Sequence, residues 1–235
     1  MVIVSCGRAR EGLEGARLLR GTALQYAPSM PFLTFEGVEG CGKSTQLSLA
    51  AARLREAGQP VLETREPGGT AIGEKIRDIL MDPSHDRLDP VAEWLLYEAD
   101  RRQHVRETLQ PALARKVFVL CDRYSDATEA YQQEGRGLDG TVVRLVDALA
   151  REDLEPDFTL LYDVEPEAGL ARAWGRDGRA GRFEAADISF HRRVRAAYLA
   201  IARRDPGRVA VIDASGRVED VFEETWRRIA ERFGL

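Results

Sequence analysis

Eight residues in the first quarter of the chain have the types and spacing of a phosphate-binding loop. Gly37 to Ser44 reads GVEGCGKS and fits the pattern G-x-x-x-x-G-K-[ST]. Glycines in such a loop let several backbone N–H groups point inward, and the positive end of the following helix adds to the attraction for an anion. An apolar run precedes the octet and a helical pattern follows it, as the motif requires. The octet therefore predicts a nucleoside triphosphate site.

Two side chains of the loop and one acidic residue downstream suggest how that site works. We expect Lys43 to reach the β- and γ-phosphates and the Ser44 hydroxyl to bind Mg²⁺. Asp122 ends the apolar run KVFVLCD and is a second candidate for Mg²⁺, directly or through water. The alternative for Asp122 is a carboxylate that caps a turn at a strand end.

Four further residues indicate a second substrate that carries a phosphate. Arg65 and Arg123 both follow predicted strands, and ligands of open parallel sheets bind at the carboxyl ends of the strands. An arginine fork suits a phosphate monoester because it donates two parallel hydrogen bonds. Tyr97 and Arg101 are four residues apart on a predicted helix, so this pair could stack a base and bond its edge. A half-buried tyrosine beside solvated arginines remains the alternative.

A segment rich in glycine and arginine, about 175–186, has no hydrophobic period and predicts a mobile loop. Such a lid could close over a triphosphate and stabilise the charge that spreads over the transferring oxygens. A solvated basic loop is the alternative. The arginines concerned are Arg172, Arg176, Arg179 and Arg182.

The elements that must position these residues alternate between strand and helix, which predicts an α/β fold with a parallel sheet. The predicted strands are 32–36, 60–64, 116–121, 158–162 and 209–213. The predicted helices are 43–57, 71–81, 90–109, 126–133, 139–151, 166–174, 187–204 and a last one that begins near 218. We expect one domain over 30–235 and a dispensable extension over 1–29.

Composition limits the partners and the compartment. The net charge of −5 argues against a nucleic-acid surface held by overall basicity. Three cysteines without C-x-x-C spacing argue against a disulfide framework or a zinc site. No apolar run approaches the ~18 residues of a membrane span. These features predict a cytoplasmic protein without nucleic-acid or membrane partners.

The chain contains no asparagine, which removes two classes of nucleotide-binding protein. The guanine-reading motif Asn-Lys-x-Asp and the protein-kinase catalytic loop both need this residue. The residues alone leave open a kinase for a nucleotide or nucleoside, and an ATP-binding regulator that transfers nothing.

Several segments together identify a resemblance. Residues 31–235 resemble bacterial thymidylate kinases in motif order and spacing, nearly from end to end. The phosphate loop alone is not specific, whereas REPGGT from Arg65 and DRY from Asp122 together are. The matching segments are FEGVEGCGKST (35–45), TREPGGT (64–70), YEADR (97–101), DRY (122–124), AYQ (130–132) and RFE (182–184).

The resemblance implies a nucleoside monophosphate kinase-like fold with a five-stranded parallel sheet and a lid. It also implies a homodimer and Mg²⁺-dependent transfer of the ATP γ-phosphoryl group to dTMP, for dTTP synthesis. By position, Arg65 and Arg123 would hold the dTMP phosphate, Tyr97 would stack on thymine and Arg101 would bond its carbonyl. Thr128 and Gln132 would line the base pocket, Tyr131 would crowd the sugar, and Glu39 would lie near the acceptor. The residues that would contact ATP phosphates are Gly37, Val38, Glu39, Gly40, Cys41, Gly42, Lys43, Ser44, Thr45, Arg172 and Arg182.

The residue that follows the acidic position of the phosphate loop, here Gly40, differs between two forms of this family. Some members have a basic residue after the acidic loop position, and others supply arginine from the lid. Here Gly40 follows Glu39 and the lid is rich in arginine, so the chain resembles the second form. Arg176 and Arg179 are the two candidates for the lid arginine that would act with Lys43, Glu39 and Arg123 in catalysis. Smaller departures are Ala127 for a usual serine and Gly181 for a usual aspartate.

Overall fold

A parallel sheet of five strands lies at the centre of the molecule. The computed structural model describes residues 31–177, 182 and 186–235, and in this part of the chain the strand order is β2-β3-β1-β4-β5. The strands are β1 (Phe32–Glu36), β2 (Val61–Arg65), β3 (Phe118–Asp122), β4 (Phe158–Asp163) and β5 (Val209–Asp213). The predicted fold class is thereby confirmed. Because β1 lies between β3 and β4, the loop that leaves β1 begins at the switch point of the sheet, where ligands of such folds bind.

Helices cover both faces of the sheet. They are α1 (Lys43–Glu56), α2 (Ala71–Met81), α3 (Pro90–His104), α4 (Gln110–Ala114), α5 (Ser125–Thr128), α6 (Gly140–Arg151), α7 (Pro166–Asp177), α8 (Ile188–Arg204) and α9 (Val218–Phe233). Two π-helical segments, Val105–Leu109 and Glu129–Gly135, continue α3 and α5. No helix in the described ranges is both long and apolar enough to cross a bilayer.

Successive side chains of a strand point to opposite faces of the sheet, so the core has two parts, one on each face. Leu33 and Phe35 of β1 pack with α1, α8 and α9 on one face of the sheet, whereas Phe32 packs with the segment from Val105 to α4 on the other. All five residues of β1 are buried, as expected for a central strand that is covered on both faces. The loop that follows β1 therefore starts from a rigid support.

Several predicted boundaries differ by a few residues in the structure, among them the start of β3. Arg65 is the last residue of β2 and does not lie in the following loop. The predicted long helix ends as an α-helix at His104 and continues as a π-helical segment, which local periodicity does not distinguish from an α-helix. The helix predicted to end at Trp174 continues to Asp177, since one glycine costs a helix only about 1 kcal/mol. The predicted extension 1–29 and most of the predicted lid lie outside the described residues.

Candidate active site

A cavity of about 670 Å³ opens at the carboxyl edge of the sheet. Arg65 of β2 pairs in register with Asp122 of β3, so the ends of these neighbouring strands lie side by side in its wall. Residues from β2, the loop after β3, the phosphate loop, α1, α2, α3 and the second π-helical segment surround it. The lining residues that the sequence predicts as functional are Glu39, Gly40, Lys43, Ser44, Arg65, Tyr97, Arg101, Asp122, Arg123, Thr128, Tyr131 and Gln132. One cavity therefore joins the predicted triphosphate site to the predicted acceptor site.

The phosphate loop leaves the start of α1 open to an anion. Gly42 precedes α1 with φ of 90°, a conformation that glycine adopts without steric cost, and no side chain caps the helix. The N–H groups of the first turn thus remain available to phosphate oxygens. Lys43 begins this helix and makes no ion pair with any described residue, so its ammonium group is also available.

The loop also packs tightly against α7. A Cβ atom on Gly40 would lie 1.8 Å from the carbonyl oxygen of Gly169, and one on Gly169 would lie 2.4 Å from the carbonyl oxygen of Glu39. Both distances are far inside van der Waals contact. Glycine is therefore required at both positions for the two backbones to approach this closely.

Ser44 and Asp122 meet where the sequence predicts Mg²⁺. The Ser44 hydroxyl donates a hydrogen bond to Oδ2 of Asp122, which joins α1 to the end of β3. Hydroxyl and carboxylate oxygens are the ligands that Mg²⁺ prefers, and this ion is commonly held by one or two protein oxygens together with substrate phosphates. The pair fits such an ion.

Four described arginines line the cavity, and the sequence predicts three of them, Arg65, Arg101 and Arg123. Arg65 donates to both carboxylate oxygens of Glu74, at 3.1 and 3.0 Å. Arg77 was not predicted; it lines the cavity and donates to the Pro67 carbonyl at 3.0 Å. Burial and the nearby Arg65 lower the pKa of Arg77, which indicates two cations held close together. Such a pair favours binding of an anion.

Arg123 is held in a left-handed backbone conformation, with φ of 73°. This is uncommon for a residue with a side chain, so the surroundings must stabilise it. Oε1 of the buried Glu36 accepts the Tyr124 N–H at 2.7 Å, and Oε2 accepts the Tyr198 hydroxyl at 2.7 Å. Tyr198 in turn accepts from Nη1 of Arg123 at 3.2 Å. Burial raises the pKa of Glu36 to about 8.

Glu39 faces three partners on other elements. Its Oε1 accepts from Nη2 of Arg123 at 3.1 Å and from the Tyr131 hydroxyl at 2.6 Å. Nδ1 of His191 lies 3.3 Å from Oε2. Burial disfavours the charged carboxylate, but His191, Arg123 and Lys43 outweigh it and lower the pKa of Glu39 to about 2. Glu39 is therefore ionised at neutral pH.

Arg101 is almost fully buried, which contradicts the alternative of a solvated arginine. Its Nε donates to Glu66 at 2.9 Å, and its Nη1 contacts Glu98, Thr128 and Asp147. Burial opposes the charge, yet these carboxylates raise the pKa of Arg101 well above its usual value. Among the described residues, no polar group bonds Nη2 of Arg101. Arg101 also lines the cavity. This group is thus available to a ligand.

The second π-helical segment forms another part of the wall. Consecutive residues Tyr131 and Gln132 both line the cavity, and π-helical turns occur frequently at functional sites. Gln132 donates at 3.4 Å to Glu93 of α3, which is fully buried and also accepts from Arg136 at 3.2 and 3.0 Å. Half-buried Tyr97 lies on the same helix as Glu93 and presents its side chain to the cavity.

Two of the four arginines predicted to act with the lid, Arg172 and Arg182, have described side chains, and both contact groups outside the cavity. Arg172 donates to the carbonyls of Ala214 and Ser215 at 2.8 and 2.9 Å, beside the end of β5. Arg182 contacts Glu93 and the Leu80 carbonyl on α3 and α2, so its position is on the acceptor side. The side chain of Arg176 and all of Arg179 lie outside the described residues. Neither Arg172 nor Arg182 lines the cavity in this arrangement.

Two buried histidines belong to the site although their spacing carries no motif. Nδ1 of His104 donates to Oε1 of Glu66 at 2.9 Å, and its Nε2 shares a hydrogen bond with the Thr64 hydroxyl at 2.7 Å, so His104 supports the partner of Arg101. His191 supports Glu39 as described above. The only sequence signal for either residue is a polar side chain at a core position of a helix.

Comparison with known proteins gives one consistent result. Residues 35–225 match a sequence model of the family described as Thymidylate kinase. A thymidylate kinase of Trichlorobacter lovleyi is 51% identical over 189 residues, which cover 78% of this chain and 89% of that protein. One of Deinococcus radiodurans is 47% identical over 201 residues, covering 86% and 97%. The crystal structure of thymidylate kinase from Ehrlichia chaffeensis is similar with a TM-score of 0.71 and 33% identity, covering 86% of this chain and 100% of that one.

Proposed function

The chain belongs to the thymidylate kinase family, whose members phosphorylate dTMP to dTDP, and on that premise we propose how its residues divide the reaction. The observation that carries the proposal is the single cavity lined by Lys43 and Ser44 at one end and by Arg101 at the other. ATP binds at the phosphate loop and dTMP in the pocket beyond Arg123. Their reacting phosphates then meet between Lys43 and Arg123.

The acceptor site selects a thymine nucleotide through three kinds of contact. Arg65 and Arg123 bind the 5′-phosphate, with Arg77 adding charge that the sequence did not predict. Tyr97 stacks on the base, and the free Nη2 group of Arg101 donates to a base carbonyl. Arg101 has no acceptor atom, so a cytosine amino group at the same place would be left unpaired. Thr128 and Gln132 fix the base pocket, and Tyr131 limits space beside the sugar.

The donor site combines backbone N–H groups, Lys43 and a metal ion. The ATP phosphates lie against the loop from Gly37 to Thr45, and Lys43 stabilises charge on the transferring group. Ser44 and Asp122 would hold Mg²⁺, which would supply positive charge against the ATP phosphates. Transfer then requires positioning and electrostatic stabilisation without a covalent enzyme intermediate.

The lid supplies further positive charge in this proposal. Arg176 belongs to the last turn of α7, Arg179 comes three residues later in the sequence, and in this proposal one of the two approaches the transferring phosphoryl group. Arg172 and Arg182 would reach ATP phosphates only after leaving the carbonyls and Glu93 that they contact here. Binding of ATP by Arg172 and Arg182 therefore depends on a rearrangement of these contacts.

A panel of acceptors tests the proposed selectivity. With ATP and Mg²⁺, we expect dTMP to give the highest kcat/KM, since it alone combines a phosphate, a thymine and a sugar without a 2′-hydroxyl. The comparison uses dUMP, UMP, AMP and thymidine in an assay coupled to ADP release. Thymidine should be a very poor acceptor because it leaves the arginines unpaired. A clear preference for another acceptor, or slow hydrolysis independent of dTMP, would contradict the proposal.

We also propose that two copies of the chain form a homodimer. An apolar surface covers three neighbouring helices, in which α3 packs between α2 and α6. Large exposed apolar patches of this kind mark protein interfaces. The exposed side chains are Ile72 and Ile79 of α2, Val91 and Leu95 of α3, and Val142, Leu145 and Leu149 of α6.

Replacing Leu145 with glutamate is expected to convert the dimer into a monomer. Leu145 is 72% exposed in one chain and lies in the middle of the apolar side of α6. Burial of such a side chain contributes about 1.5–3 kcal/mol, which a charge at the same place would lose. Light scattering after gel filtration measures the mass. Leu235→Glu, at the exposed C-terminus, is the matched control and should leave the mass unchanged. A monomeric parent would contradict the proposal.

We also propose that the protein is located in the cytoplasm. The two cysteines in the described ranges, Cys41 and Cys121, are buried free thiols, as expected in a reducing compartment where nucleotide synthesis takes place.

A further inference from the structure

His191 is a buried polar residue whose partner belongs to the cavity wall. It lies in the first turn of α8 with only 1% of its side chain exposed. Its Nδ1 is 3.3 Å from Oε2 of Glu39. Its other ring nitrogen, Nε2, has no hydrogen-bond partner in the described part of the chain. Burial of an imidazole with one unpaired nitrogen is costly, so packing alone does not account for a histidine here.

The two oxygens of Glu39 have separate surroundings. Oε1 accepts from Arg123 and from the Tyr131 hydroxyl, whereas Oε2 accepts no hydrogen bond in the described part of the chain and has only Nδ1 of His191 within ion-pair distance, at 3.3 Å. Phe190 packs edge-on against the His191 ring with centroids 5.4 Å apart and restricts its rotation. The carboxylate is thereby hydrogen-bonded through Oε1, and the His191 imidazole lies beside Oε2.

The position of the Glu39 carboxylate matters because Arg123 is also proposed to bind the phosphate of the acceptor. A guanidinium offers five N–H groups, and its preferred pairing with a carboxylate is bidentate. In the structure Arg123 donates to Glu39 and to Tyr198, and its guanidinium lies 4.7 Å from the centroid of the Tyr131 ring. If Oε2 of Glu39 were free, the carboxylate could turn and pair with Arg123 through both oxygens. An acceptor phosphate would then have to compete with Glu39 for the same donors.

We propose that His191 is a positioning residue for phosphoryl transfer: by holding Oε2 of Glu39, it keeps donors of Arg123 available to the phosphate of the acceptor. The proposal deepens the function proposed above and rests on it. His191 acts only through Glu39 and touches neither substrate.

Three replacements of His191 separate its polar contact with Glu39 from packing. Asparagine places an amide N–H near the position of Nδ1, glutamine places one near Nε2, and phenylalanine keeps a ring without a donor. We expect H191F and H191Q to raise KM for dTMP and lower kcat/KM by roughly 10- to 100-fold, with KM for ATP unchanged. H191N should stay close to the parent. Equal values for H191N and H191Q would overturn the proposal, even if H191F does not fold.

A double-mutant cycle with Glu39→Gln tests whether His191 acts through Glu39. In the E39Q background, H191F should have no further effect on KM for dTMP, because the carboxylate that could pair with Arg123 is gone. Full additivity of the two changes would overturn the proposal. His85→Phe is the matched control, since His85 is exposed and does not line the cavity. Thermal melting of each variant reports whether it folds.

The unmodified chain is assayed first, so that a failure of the proposed function can be distinguished from a failure of the role proposed for His191. No phosphorylation of dTMP by the parent would overturn the proposed function itself. Normal activity of the parent together with an unaffected H191F variant would overturn only the role of His191.

Discussion

Replacing Lys43 with alanine is expected to lower kcat by roughly 100- to 1,000-fold, the scale of losing one preorganised group that stabilises charge in the transition state. Lys43 makes no ion pair with the described residues, and Glu39, whose pKa it helps to lower, keeps His191 and Arg123 as neighbours. Stability should therefore change little. The measurement is kcat for dTMP in the ADP-release assay, together with a thermal melt of the same preparation.

Lys75→Ala is the matched control for that substitution. Lys75 lies on the exposed side of α2 and does not line the cavity, although its neighbour Glu74 does. We expect its kcat to equal that of the parent. Near-normal turnover by the Lys43 variant would contradict the proposed donor site.

Replacing Arg101 with methionine is expected to lower the free energy of unfolding by about 3–5 kcal/mol, the usual result of breaking a buried ion pair from one side. Glu66 and Glu98 are buried and would lose the cation that stabilises them. Methionine approximates the aliphatic part of the side chain, so most of the loss is electrostatic. Urea unfolding measures it, and kcat/KM for dTMP should fall at the same time.

The loss in the Arg101 variant should grow as the pH rises. Burial already raises the pKa of Glu98 from 4.5 to about 7, and removal of Arg101 raises it further. An acid with a raised pKa in the folded state stabilises the protein below its unfolded pKa, and this stability is lost as the pH rises through the folded value. The deficit relative to the parent should therefore be smaller at pH 5 than at pH 8. A deficit independent of pH would contradict the electrostatic explanation.

An exposed arginine provides the control for Arg101. Arg227 of α9 forms ion pairs with Glu224 and Glu231, and all three side chains are at least one third exposed. Surface pairs of this kind contribute about 0–1 kcal/mol. Arg227→Met should accordingly change unfolding far less than Arg101→Met.

Local patterns were sufficient to predict the sheet and most of the cavity. The phosphate loop is contiguous in sequence, and its glycines are needed for backbone reasons that any such loop shares. Arg65, Asp122 and Arg123 were predicted to converge because the ends of parallel strands share one edge of the sheet, and the structure confirms that they do. Such inferences need only the alternation of strands and helices.

Other features depend on packing between distant segments, which local patterns do not encode. The spacing of Tyr97 and Arg101 indicates a common helix face but not that Arg101 is buried among carboxylates from α3, α6 and the loop after β2. Arg77 sits within an ordinary amphipathic helix, and nothing in its neighbours distinguishes it from a surface residue. The π-helical turns likewise follow from how α3 and α5 are accommodated against the rest of the molecule.

The close approach of Gly40 to Gly169 limits the routes by which this site can evolve. An arginine at position 40 would place its Cβ 1.8 Å from a backbone oxygen of α7, and the φ of 69° adds strain for any side chain. A single substitution there would destabilise the fold, so selection would remove it before it could contribute charge to the loop. A lineage that acquires a cation in the loop must first separate the loop from α7, so the two changes are inherited in a fixed order. The packing of α7 against the phosphate loop thus determines from which side of the cavity new positive charge can be recruited.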